Sequence, residues 1–96
     1  MDYQEVRNIQ RQERTNHSLA RVSENFYEEI QSFLNPDDDD IYLARSKKTC
    51  AEDILRKRFY KIVNKAVVND NDMNNMCEKE INLFNQLNTI FKSWRV

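Results

Sequence analysis

The segment from Thr49 to Val68, TCAEDILRKRFYKIVNKAVV, constrains the fold of this chain more than any other. At about 100° per residue, Ala51, Ile54, Leu55, Phe59, Ile62, Val63, Ala66 and Val67 cover an arc of roughly 220°, far wider than one surface stripe. The segment is therefore predicted to be a central helix packed on two or more sides. Arg58 projects inside that arc, between Ile54 and Leu55. A guanidinium among apolar neighbours needs a carboxylate or a carbonyl to offset its desolvation. Thr49 and Glu52 make a Thr-x-x-Glu capping box that could start the helix. The alternative is that Ile41 to Lys48, IYLARSKK, runs straight into it, giving one helix from about Asp38 to Val68 with a protruding polar first half. The continuous helix is the preferred reading.

Ninety-six residues suit one domain, residues 1–96, which at this size is marginal unless well packed or oligomeric. A 40% hydrophobic content supports a core, while 32% charged residues and a single Pro favour helices with a solvated outer face. The expected fold class is all-α, a helical bundle of about four helices around one long central helix. The chain has no Gly, which removes the phosphate-binding P-loop, the dinucleotide fingerprint, the nucleophile elbow and the EF-hand loop. Asn71, Asn74 and Asn75 are the expected substitutes wherever a turn needs φ > 0. Cys50 and Cys77 stand far apart with a single His17, so no zinc site or redox motif assembles from within the chain. Free thiols in a reducing cytosol are the expectation, and no cofactor is implied. No apolar run approaches the roughly 18 residues of a membrane span.

Charge is unevenly distributed. Residues 1–40 hold four basic and ten acidic side chains, residues 41–68 eight basic and two acidic, and residues 69–96 three basic and four acidic. A basic block beside an acidic one reads either as complementarity within or between subunits or as a nucleic-acid surface, and the first is preferred.

Taken in order, Asp2 to about Thr15 reads as a first helix with a narrow stripe of Tyr3, Val6 and Ile9. Glu13 falls on that stripe, roughly 20° from Val6. Leu19 and Val22 are expected to plug the core as the chain turns. Ser23 is the expected cap of a second helix to Leu34, carrying Phe26, Ile30, Phe33 and Leu34 inward. Tyr27 sits at the stripe's edge with its hydroxyl toward water. Asn35-Pro36 stops this helix, and the four aspartates after it read as a solvated acidic start to the next rather than a metal cluster. The loop 69–75 precedes a last helix from about Met76 to Trp94. Its stripe is Met76, Leu83, Leu87, Ile90, Phe91 and Trp94, with Phe84 at the edge and Glu80 in the middle.

Two inward carboxylates, Glu13 and Glu80, and one inward cation, Arg58, thus come from three different helices. They are the candidate members of a buried ion bridge that fixes register. Paired carboxylates can serve acid and base chemistry, but no pocket, metal or sugar-binding aromatic array accompanies them, and no enzyme is expected. Ile41, Tyr42, Leu43, Phe91 and Trp94 are surplus apolar residues near helix ends and are the candidate subunit interface. Arg45, Lys47, Lys48, Arg56, Lys57, Lys61 and Lys65 are the candidate contacts of the alternative, a nucleic-acid-binding module.

Tyr3, Glu5 and Arg7, Glu13 followed by Leu19, Phe26-Tyr27, then Arg58-Phe-Tyr-Lys61-Ile62 with Ala66, and finally Met76, Glu80 and Leu83-Phe84 resemble, in this order, the helical A domain of archaeal GINS subunits. The resemblance covers nearly the whole chain. It implies a non-enzymatic scaffold that accompanies the MCM helicase in DNA replication. The implied partners are other GINS subunits, as a homo- or hetero-oligomer, with the MCM helicase and a RecJ-like protein. It implies a cytoplasmic, chromosome-associated location, nuclear if the source is eukaryotic, with only weak nucleic-acid contact. Subunits that start this way carry a small β-rich B domain after the helical one, which is expected to be absent here.

Overall fold

The computed structural model describes residues 1–34 and 40–94. Four α-helices follow one another, α1 (Tyr3–Thr15), α2 (Phe26–Phe33), α3 (Ile41–Val67) and α4 (Glu78–Trp94), and no strand occurs among the described residues. The body is elongated, 52 × 23 × 20 Å. α3 sets that length, since its 27 residues span about 40 Å at 1.5 Å per residue.

The helix ends show which local signals were used. Asp2 caps α1 by accepting from the Glu5 amide at 2.8 Å, and Asp40 caps α3 by accepting from the Tyr42 and Leu43 amides at 3.0 and 3.1 Å. The long helix therefore starts at Ile41 and runs unbroken to Val67, the continuous course preferred from the sequence. Asn35-Pro36 and Asp37 to Asp39 lie outside the described residues. Thr49 and Glu52 sit in the middle of α3, so their capping-box pattern starts nothing. The amides it would serve are already bonded along the helix, and Glu52 faces Lys48 at 4.0 Å. Ser23 does not cap α2 either. The chain makes one more turn, Asn25 takes the cap position without a side-chain bond, and the Ser23 hydroxyl donates to Glu29 at 2.7 Å.

Side-chain contacts fix the helix directions. Tyr3, Gln10 and Glu13 meet Cys50, Asp53 and Lys61 in ascending order, so α1 runs parallel to α3. Phe33 lies beneath Lys47 and Phe26 beside Arg58, so α2 runs antiparallel to it. Glu80 meets Arg58 while Leu87 and Trp94 share a groove with Ala66 and Val67, which makes α4 parallel to α3 as well.

Two parallel neighbours require the chain to double back, and residues 68–77 do so. Asn69, at φ 57°, ends α3, with its own amide bonded to the Ala66 carbonyl at 3.3 Å and that of Asp70 to the Lys65 carbonyl at 2.8 Å. This is a Schellman ending with Asn in the place usually held by Gly. Asp70 and Asp72 then bond the amides two residues ahead, at 3.0 Å each, as Asx turns. Asn75, at φ 66°, completes the return. Of the three asparagines expected at positive φ, only Asn75 takes it, and Asn69 takes the other.

Burial divides into two clusters. Val6, Phe26, Ile30, Phe33, Cys50, Ala51 and Ile54 form the first, where α1 and α2 embrace the first half of α3. Leu19, Ile62, Ala66, Met76 and Phe84 form the second, where α4 and the return loop cover its last turns. Phe84, expected at the edge of the α4 stripe, is its buried centre, and Ile90 lies on the exposed side. The wide arc of α3 is accordingly covered only in part, since Phe59 and Val67 remain exposed.

Candidate functional site

Arg58 sits between the two clusters with none of its surface exposed. Five hydrogen bonds use every donor position of its planar fork. Nε donates to Glu80 Oε2 and Nη2 to Glu80 Oε1, both at 2.6 Å, a bidentate pairing. Nη1 donates to Glu13 Oε2 at 2.7 Å and to the Ala20 carbonyl at 2.8 Å. Nη2 also reaches the Asn75 carbonyl at 2.8 Å. The guanidinium carbon stands 5.6 Å from the centre of the Phe26 ring.

The carboxylates are equally occupied. Glu13 Oε1 accepts from Lys61 Nζ at 2.5 Å and from the Ala20 amide at 3.3 Å. Glu80 Oε2 accepts from the Tyr27 hydroxyl at 2.9 Å, and its Oε1 reaches back to the Cys77 amide at 3.2 Å, which fastens the start of α4. The Tyr27 hydroxyl is thus spent on Glu80 and not on water. Burial and the neighbouring Glu80 charge both push the phenol well above its ordinary range. Among the described residues no buried side-chain nitrogen or oxygen lacks a partner.

Electrostatics follow from this packing. Burial alone would raise Glu80, but the Arg58 hydrogen bonds and charge, with the Tyr27 hydroxyl, hold its carboxyl below the ordinary range. Burial likewise opposes the charge on Arg58, and Glu80 and Glu13 overcome it and raise the guanidinium further. A second, half-exposed group lies beside it on the α1–α3 contact. Asp53 accepts from Gln10 at 3.0 Å and Arg14 at 3.1 Å and pairs with Lys57 at 3.3 Å. Burial pushes Asp53 up, yet those three donors leave its carboxyl depressed. A depressed folded-state pKa stabilises above the unfolded value and is lost as pH falls through the folded one. The melting temperature should therefore be flat from neutrality to about pH 5 and drop below about pH 4. Thermal melts across that range check this, and Glu80→Gln should remove part of the acid slope.

Sequence reasoning did not find three members of the cluster. By spacing, Tyr27 is an edge residue, Lys61 a candidate nucleic-acid contact and Asn75 only a turn residue. Lys61 carried a signal, because it lies one helical turn beyond Arg58, where a carboxylate held by one reaches the other.

The candidate interface residues fall at two places. Ile41, Tyr42 and Leu43 occupy the first turn of α3, which projects past the other helices, and Tyr42 is 81% exposed. Trp94, 82% exposed, stands at the last turn of α4, and the half-buried Phe91 lines a groove with Ala66 and Leu87. The basic residues do not form one surface. Lys47 lies over the Phe33 ring, Lys57 is held by Asp53, Lys61 by Glu13 and Lys65 by Asp70 at 3.2 Å. Arg45, Lys48 and Arg56 remain exposed. His17 is exposed on the α1–α2 connection, and both cysteines are free and buried. No group of His, Cys, Asp or Glu among the described residues could hold a metal ion, and none of the described helices is long and apolar enough to cross a membrane.

No curated protein and no solved structure matches the chain. The family model described as GINS complex subunit Psf2/Psf3-like N-terminal domain matches residues 3–95, which takes in all four helices and the residues of the Arg58 cluster. The chain belongs to this family of GINS complex subunits.

Proposed function

We propose that this chain is a non-catalytic scaffold of the GINS-type DNA replication complex, a helical A domain that accompanies the MCM helicase and a RecJ-like protein on the chromosome. The family match over residues 3–95 carries the reading. The apolar ends of the body support it, because large exposed side chains such as Tyr42 and Trp94 are costly to leave in water and typical of contacts between subunits. The buried cluster fits a structural part better than a chemical one, since both carboxylates are engaged by donors and Glu80 is held below its ordinary range, where an acid catalyst would be raised. A nucleic-acid role is the weaker reading, with five of the seven candidate basic side chains already engaged within the protein.

Sedimentation velocity of the chain, alone and mixed with companion GINS subunits, tests this. The wild type is expected to travel in assemblies larger than one chain. Tyr42→Ala combined with Trp94→Ala should shift these toward the single chain while helical circular dichroism stays unchanged. If the wild type remains single in both settings and the double variant behaves identically, the interface is wrong. Duplex DNA binding that depends steeply on salt would then favour the nucleic-acid reading.

A further inference from the structure

α3 and α4 lie parallel, and on the side away from α1 and the return loop they leave an open seam. Phe59 and Val63 on α3 and Leu83, Leu87, Ile90 and Trp94 on α4 edge it at the i, i+3 and i+4 steps that place side chains in rows. The seam consists of two grooves in succession, of about 440 and 200 Å³. Phe59, Val67, Ile90 and Trp94 are exposed along it, Ile90 at 64% and Trp94 at 82%.

Charge narrows what can lie in the seam. From Ile54 to Val68 and from Ile81 to Trp94 there is no acidic residue. The one carboxylate lining the grooves, Glu80, is buried on Arg58. Lys79 borders the first groove, its ammonium 4.6 Å from the Tyr27 ring centre. Arg56 is exposed roughly 20° from the line of Val63 around α3. Neither cation makes an ion pair among the described residues. A second copy of the seam would bring apolar surface but no carboxylate for either.

We propose that the α3–α4 seam is a docking site for an amphipathic helix from a different chain, with an apolar stripe flanked by acidic side chains. An apolar stripe laid between two parallel helices completes a three-helix layer, and its acidic flanks meet Lys79 and Arg56. The inference rests on reading the Phe91–Trp94 end as a contact between subunits, and it names the chemistry of the partner.

Trp94 is the only tryptophan, so its emission reports occupancy of the seam. The probe is a synthetic helical peptide without tryptophan, bearing leucines at i, i+3, i+4 and i+7 and glutamates on both flanks, with a twin that has lysines in their place. The glutamate peptide should shift Trp94 emission to the blue and bind more weakly as salt rises. The lysine twin should bind about tenfold more weakly. Arg56→Glu with Lys79→Glu, both at exposed positions, should reverse the order of the two peptides without changing the circular dichroism of the chain. Equal binding of both peptides, or no shift with either, overturns the proposal. A blue shift that appears on concentrating the chain alone, together with self-association in sedimentation, assigns the seam to a second copy and also overturns it. That last result would leave the scaffold reading standing, whereas peptide binding by a chain that never joins other GINS subunits would remove the scaffold reading and keep the seam.

Discussion

Arg58→Ala is expected to lower the stability of this chain by about 3–5 kcal/mol, because it strips the partner from two buried carboxylates at once. For a domain of this size each kcal/mol moves the melting midpoint by about 4–8 °C, so a circular dichroism melt should drop by at least about 12 °C. The loss is a large share of the roughly 5–15 kcal/mol that holds a domain of this kind together. Arg58→Lys should recover little, since a single ammonium cannot span Glu80 with two bonds while reaching Glu13, Ala20 and Asn75. Replacing Arg58, Glu13 and Glu80 together by apolar residues of similar volume should cost less than Arg58→Ala alone, because no charge is left buried without a partner. An unchanged melting midpoint in Arg58→Ala would mean that the bridge does not hold the fold together.

Phe26→Ala is expected to be comparably severe, at about 3–5 kcal/mol. Its ring is 1% exposed, belongs to the first apolar cluster, and packs against the Arg58 guanidinium and the Tyr27 ring. Truncation opens a cavity directly under the ion cluster, so packing and charge should fail together. A double-mutant cycle of Phe26→Ala with Arg58→Met separates the two. Coupled residues should give a combined loss that differs from the sum by about 0.5–3 kcal/mol. Strict additivity in urea titrations would mean that the ring stabilises the protein through burial alone.

What could be read from the sequence follows from the range of each signal. The four helices were legible because apolar residues recur at helical spacing over many turns, and the inward positions of Arg58, Glu13 and Glu80 follow from the same projection. The helix starts were less legible because several caps compete locally. Ser23 and Thr49 have the right side chains, yet Asn25 and Asp40 hold the positions, and only the path of the chain through space decides among them. Phe84 was assigned to the edge of its stripe because a seventeen-residue helix with apolar residues on a broad face has no unique centre until its neighbours are known. The loop at 69–75 is legible, but the direction in which residues 68–77 return the chain is not. A ten-residue polar connection reads equally well as a wide antiparallel turn, and the parallel course depends on Asn69 and Asn75 both taking positive φ. Tyr27 and Asn75 joined the ion cluster through that course, so neither could be placed there from spacing.

The parallel course of α1, α3 and α4 also sets the electrical character of the molecule. Peptide dipoles in the three helices point the same way and add along the body, each equivalent to about half a charge at either end. The ends are staggered along α3, which α1 joins at Cys50 and α4 at Arg58, so each pole stands on its own and draws counter-charge where it falls. Side chains supply it at each terminus. Asp2 and Asp40 cap the positive ends of α1 and α3, and Glu78 lies in the first turn of α4. Arg14, Lys65 and Lys92 lie in the last turns, where the poles are negative. The aligned field is thus opposed within the turn in which it arises, so a charged partner meets the side chains at each helix end before it meets the pole behind them.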